Sequence, residues 1–229
     1  MKVTLSSRLQ RIADYVPAGS TVIDVGTDHA YIPIYLLQNG LSGKAYASDV
    51  KSGPLQNAAR DAEKAGVAEN LSLTLCDGLA LCNPETVDTV IIAGMGGETI
   101  MGILAAAPWT KGKRLILQPQ TRFSELRAFL RENGYRIADA SLVYDTGRIY
   151  TVWLVTAGEM APCGAIDPVL VEKRDPLLKP YTEDLIKRRR KQIQGMEASR
   201  TADPAVLAGL KAELEELLKI HKEAEQWQR

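Results

Sequence analysis

The sequence is short of several things, and each shortage removes a class of explanation. It has three cysteines, Cys76, Cys82 and Cys163, an odd number with no C-x-x-C pair. They read as reduced thiols in a cytosolic, cytoplasmic protein, and no metal site is expected. No window approaches the ~18–20 consecutive apolar residues of a membrane span, and the first residues form no apolar signal segment. No membrane association is therefore expected. Charge of one sign is missing too, since 28 Lys+Arg balance 28 Asp+Glu. A global basic field for nucleic acid is absent, although a local patch is not excluded. There is no internal repeat and no low-complexity tract. What remains is a globular composition, 45% hydrophobic and 24% charged over 229 residues, enough for one ordinary domain and an appendage.

The chain is organised around Thr21-Val-Ile-Asp-Val-Gly-Thr-Asp-His-Ala-Tyr31. The β-branched run Thr21–Val25 predicts a strand buried on both faces. Gly26 ends it, and Ala30–Leu37 predicts an apolar helix whose Pro33 fits only in the first turn. Strand, glycine turn and helix N-terminus form the first unit of a nucleotide-binding βαβ fold. Most of the dinucleotide fingerprint G-x-G-x-x-G is missing, however. Asp28 occupies the place of its second glycine. A carboxylate ~4 Å from a phosphate costs on the order of a few kcal/mol at an effective dielectric of ~20. The same carboxylate favours a cationic ligand, so the turn points to S-adenosylmethionine, with its sulfonium and ammonium, over NAD. Asp28 as a plain helix cap is the competing reading.

Further along, acids recur at the ends of successive predicted strands. Asp49 closes Gly43–Ser48 and lies 23 positions beyond Gly26, where a carboxylate meets ribose hydroxyls. Capping the following helix, Pro54–Gly66, is its other reading. Asp77-Gly78 closes the strand Leu71–Leu75, placed to accept an adenine amino group, or to serve as a common turn pair. The strand Val87–Ala93 runs into Gly94-Met95-Gly96-Gly97, a turn that admits close backbone approach to a ligand. A helix over 98–107 follows, then a strand over 114–118, a helix over 123–133, and two β-rich runs about Asp145-Thr146-Gly147 that predict a hairpin. Five βα units closed by an antiparallel hairpin give the class I S-adenosylmethionine-dependent methyltransferase sheet: Rossmann-like, mostly parallel, α/β.

The chain opens with an amphipathic helix carrying Leu5, Leu9, Ile12, Ala13 and Val16. Its Arg8 reads as a residue of a solvated face or, alternatively, of the ligand cleft and nucleic acid. Past Gly158, residues 161–180 read as a proline-rich linker. Two helices then form a hairpin resembling a coiled coil, broken at Ala202-Asp203-Pro204. The expected division is 1–160 for the catalytic domain and 161–229 for the helical one. Lys187, Arg188, Arg189, Arg190 and Lys191 are five consecutive cations. Without interleaved acids, they favour a phosphate-contacting patch over a solvated face.

Asp24-Val25-Gly26-Thr27-Asp28-His29-Ala30-Tyr31-Ile32-Pro33, with Ile92-Ala93-Gly94-Met95-Gly96-Gly97 and Gln118-Pro119, resembles a bacterial tRNA methyltransferase family. Its members methylate N1 of adenine 22 in the D-loop region. Leu5-Ser6-Ser7-Arg8-Leu9 is similar to that family's opening, and the likeness spans essentially the whole chain. The resemblance implies S-adenosylmethionine as cofactor and tRNA as partner, with the enzyme a monomer or weak dimer. It implies that Asp24, Gly26, Asp28, Asp49, Asp77, Gly78, Ala93 and Gly94 hold the cofactor. Asp28, His29, Tyr31 and Met95 are then placed at the transfer site. Few acids and bases are evident, as suits adenine N1, whose lone pair is free at neutral pH.

Overall fold

The computed structural model describes residues 2–162, 164–199 and 203–227. Contacts divide the chain into two compact units, one of residues 1–139 and 143–161, the other of 140–142 and 162–229. Cys163 and the Ala202 part of the expected helix break lie outside the described residues. Cys76 and Cys82 are free thiols.

The first unit alternates helices and strands. Its elements are α1 (Ser7–Asp14), β1 (Val22–Val25), α2 (Tyr31–Gln38), β2 (Ala45–Asp49), α3 (Ser52–Ala65), β3 (Leu71–Leu75), β4 (Thr89–Met95), α4 (Gly97–Ala106), β5 (Arg114–Pro119), α5 (Phe123–Glu132), β6 (Tyr135–Asp145, apart from its residues 140–142, which belong to the second unit) and β7 (Arg148–Ala157). The seven-stranded sheet runs β3-β2-β1-β4-β5-β7-β6. Strands β1 to β5 pair in parallel, and β7 pairs antiparallel to β5. The closing hairpin is therefore the antiparallel element that the sequence predicted.

All four residues of β1 are buried, because it has a strand on each side and helices over both faces. On one face Val22, Ala45, Ala47, Ile91 and Ile116 meet Ile12, Ile34, Leu36, Ala58 and Ala62 from α1, α2 and α3. Positions of opposite parity, Val90, Ile92, Leu115 and Leu117, are equally buried, as are Ile100, Leu104, Leu126 and Leu130 of α4 and α5. Burying each such side chain contributes ~1.5–3 kcal/mol. Between β2 and β4 the chain order reverses at β1, the switch point where open α/β sheets bind ligands.

The second unit contains α6 (Pro168–Glu172), α7 (Leu178–Glu197) and α8 (Pro204–Trp227). The stretch read as linker thus holds a short helix, and Pro180 lies in the first turn of α7, where proline is tolerated. Asp175 is buried because its carboxylate accepts the N–H groups of Leu142 and Leu177 at 3.1 and 2.9 Å. Leu178, Ile186 and Ile193 on α7 and Leu210, Leu217 and Ala224 on α8 supply the buried stripes. Thr182 is fully buried and hydrogen-bonded to His221 Nδ1 at 2.9 Å, tying the two helices together. His221 is thus packed against α7. Leu218 of α8 is exposed.

Candidate active site

The turn after β1 is held open by its backbone. Gly26 has φ +72°, and a Cβ there would strike the Met95 side chain. The N–H groups of Gly26 and Thr27 donate to Ser48 carbonyl oxygen at 2.8 and 3.1 Å, fastening the turn to the end of β2. Thr27 Oγ1 accepts from Ala30 N–H at 3.0 Å, and Ala30 takes a left-handed conformation with φ 50°. This sharp corner aims the N-terminus of α2 into a cleft of about 420 Å³.

The cleft gathers Asp24, Gly26, Asp28, His29, Tyr31, Ala93 and Gly94 from the sequence expectations, together with Arg8. Arg8 is not on a solvated face. Its Nη1 donates to Gln118 Oε1 at 2.9 Å, and its guanidinium lies 5.4 Å from the Tyr150 ring centroid. Gln118, fully buried in β5, accepts with the same oxygen from Gly94 N–H at 3.1 Å. Only Gly94 of the second glycine turn has a positive φ and lines the cleft. Gly97 answers a packing need instead, since a Cβ would come within 2.7 Å of Thr121 carbonyl oxygen. Met95 does not line the cleft; its side chain packs under Gly26.

Asp77 and Gly78 line a second cavity of about 450 Å³ with Thr99, Gly102 and Ile103. Asp49 lines neither space. Its Oδ1 accepts Lys51 N–H at 2.7 Å, closing a turn before α3. Helix α3 starts at Ser52, two residues ahead of the expected Pro54. Sequence reasoning missed Asp61, whose Oδ2 lies 2.8 Å from His29 Nδ1, and Gln120, which lines the cleft. Gln118 appeared in a motif but without its job as a clamp.

Charge in the cleft is arranged for a ligand with cationic groups. Burial raises the Asp24 carboxyl from 3.8 to about 6, against the lowering effect of a hydrogen bond with Thr27. No cationic side chain among the described residues pairs with it. Asp28 is 73% exposed at the cleft mouth. Two carboxylates repel a pyrophosphate, whereas an ammonium or sulfonium relieves the buried one. The α2 N-terminus remains for a single carboxylate. The residues present therefore fit S-adenosylmethionine. Among the described residues there is no cluster suited to a metal ion, and no helix is long and apolar enough to cross a membrane.

The five-cation run lies on α7. Lys187 pairs with Glu183 and Arg188 with Asp184, each at 2.7 Å and one turn earlier, while Arg189 pairs with Glu213 of α8. The acids missing between the cations stand beside them in space. Arg190 and Lys191 are exposed and carry no ion pair among the described residues.

Comparison with known proteins agrees with this geometry. Residues 5–153 match the family described as methyltransferase domain. The tRNA (adenine(22)-N(1))-methyltransferase of Bacillus subtilis is 34% identical over 196 residues, 80% of this chain and 82% of that protein. The crystal structure of the B. subtilis M1A22 tRNA methyltransferase covers 98% of this chain and 99% of its own, at TM-score 0.80 and 27% identity. TrmK of M. capricolum, in complex with the natural cofactor product S-adenosyl-homocysteine, matches 96% of this chain and 99% of its own, at TM-score 0.77 and 26% identity. The chain belongs to the tRNA (adenine(22)-N(1))-methyltransferase family of class I S-adenosylmethionine-dependent methyltransferases.

Proposed function

We propose that this protein transfers a methyl group from S-adenosylmethionine to N1 of adenine 22 in tRNA. The observation that carries the reading is the cleft at the sheet's switch point. There the buried Asp24 and the Gly26 and Gly94 backbones face the half-buried His29 and the exposed Asp28 and Tyr31. When bound, the cofactor supplies an electrophilic methyl group on a sulfonium centre. Asp24, Gly26, Ala93 and Gly94 hold its amino-acid end. Asp49 takes ribose hydroxyls through the oxygen not engaged by Lys51, and Asp77 and Gly78 take the adenine. Met95 acts by supporting the Gly26 turn.

Asp28 and His29 line the site of transfer, and Tyr31, 39% exposed, offers a face on which the extruded target base stacks. Adenine N1 needs no base to free its lone pair. The chain's work is therefore positioning, which supplies ~7–11 kcal/mol in favourable cases, and stabilisation of the cationic product by Asp28. Residues 1–160 form the catalytic domain in this reading, and 161–229 engage tRNA through Arg190 and Lys191 with their neighbours. Arg8 adds a contact to nucleic acid at the cleft. The enzyme works in the cytoplasm as a monomer or weak dimer.

The test incubates purified protein with labelled S-adenosylmethionine and unmodified tRNA, then digests to nucleosides. Label is expected in 1-methyladenosine, and it disappears when guanine replaces adenine 22. Label in another nucleoside, or no transfer despite cofactor binding, overturns the reading.

A further inference from the structure

The two ring nitrogens of His29 have different surroundings. Nδ1 lies 2.8 Å from Oδ2 of Asp61 on α3, a side chain only 15% exposed. Nε2 lies 3.7 Å from Asp28 Oδ2, beyond hydrogen-bond distance. The ring is stacked on Tyr31, with centroids 5.0 Å apart and planes 9° from parallel, so its rotation is restricted. Lys64, 4.0 Å from the other Asp61 oxygen, leaves Oδ2 to the imidazole. A carboxylate only accepts hydrogen bonds, so Nδ1 must carry the proton. In its neutral form the ring then presents the lone pair of Nε2 at the cleft.

We propose that Asp61 is a positioning residue that fixes His29 as its Nδ1–H tautomer, making Nε2 and Asp28 a pair of acceptors for the 6-amino group of the target base. This rests on the adenine-N1 reading and extends it to base selection. As N1 gains its methyl group, positive charge spreads through C6 to the amino nitrogen, and its protons become stronger donors. An acceptor placed there binds the transition state more tightly than the ground state. The amino group keeps both protons in the step, so Nε2 only accepts. Guanine presents a 6-oxo acceptor at this place and leaves two acceptors facing a third, which disfavours it.

The chain has two histidines, His29 and His221, so full-length protein labelled with 15N-histidine gives two ring patterns, assigned with His29→Gln. Long-range 1H–15N spectra at neutral pH should show His29 as Nδ1–H. They should show a shift toward Nε2–H in Asp61→Asn, whose amide can donate to Nδ1. A doubly protonated or Nε2–H ring in the unsubstituted protein overturns the proposal, whatever the substrate. In single-turnover transfer, Asp61→Asn should be slower by about 10- to 100-fold, the cost of one strengthened hydrogen bond, with cofactor affinity within twofold. Replacing the target adenine by purine, which lacks the amino group, should cost Asp61→Asn correspondingly less than it costs the unsubstituted enzyme. An undiminished purine penalty overturns base selection through His29. Failure of the unsubstituted enzyme to methylate any adenine refutes the underlying reading and this base-selection role together, while the spectra still judge the Asp61–His29 pair.

Discussion

Asp24 shows how a single residue trades stability for binding. Burial holds its carboxyl at about 6, above the ordinary 3.8, so the folded state grips this proton more tightly than the unfolded chain does. Its stability contribution is therefore favourable in acid and falls as pH rises through the window from 3.8 to about 6, by up to ~3 kcal/mol at ~1.4 kcal/mol per pK unit. Asp24→Asn should accordingly raise the melting temperature of ligand-free protein at pH 7. A cationic ligand needs the ionised form, so cofactor affinity should weaken about tenfold from pH 7 to pH 5, given a carboxyl near 6. Calorimetric titrations at the two pH values check this, and Asp24→Asn should bind weakly at both. An affinity that does not change with pH would separate Asp24 from the ligand. The identity of this residue was readable from its place beside Gly26. Its raised carboxyl was not, because that depends on how completely strands from elsewhere in the chain enclose it.

At the scale of elements, α1 is capped from outside itself. Asp145, at the end of β6, accepts from Ser6 Oγ at 2.6 Å and from Arg8 N–H at 3.1 Å. The bond from Ser6, with help from Arg8, holds this carboxyl below its usual range. The contact thus persists as pH falls through the ordinary carboxylate range and is lost only below it. It fixes the helix whose Arg8 reaches the cleft. Asp145→Ala should speed hydrogen exchange at the Arg8 amide. It should also raise the KM for tRNA about fivefold, the equivalent of one hydrogen bond of ~1 kcal/mol, with cofactor affinity unchanged. Unchanged exchange would show that α1 holds its place without the pin. Residues 6 and 145 have no local signature linking them, and the same is true of Arg8 with Gln118 and His29 with Asp61. Hydrophobic period and glycine turns act within a few residues, so they foretold the strands, most helices and the closing hairpin. Contacts across 32 to 139 positions are set by the sheet order, which no window of sequence contains. The mistaken linker has a local cause: Pro168 and Pro180 sit in the first turns of α6 and α7, where proline is tolerated and does not break the helix.

For the whole molecule, 28 cationic and 28 acidic side chains cancel, so attraction to a polyanion must come from local imbalance. The run on α7 offers that, but not evenly. Lys187 and Arg188 each face a carboxylate at 2.7 Å, and such neighbours offset most of the potential a phosphate would feel. Arg190 and Lys191 have no such neighbour among the described residues. Each cation that displaces a counterion contributes ~0.9 to the slope of log affinity against log salt on a duplex. Arg190→Ala with Lys191→Ala should therefore flatten the slope for tRNA by up to ~1.8, whereas Lys187→Ala with Arg188→Ala should change it little. Filter binding across a salt series measures both. Equal flattening by the two pairs would mean that the ion pairs open on contact and the whole run meets phosphate. No flattening by either would make the run a solvated face and leave tRNA recognition to the cleft and Arg8.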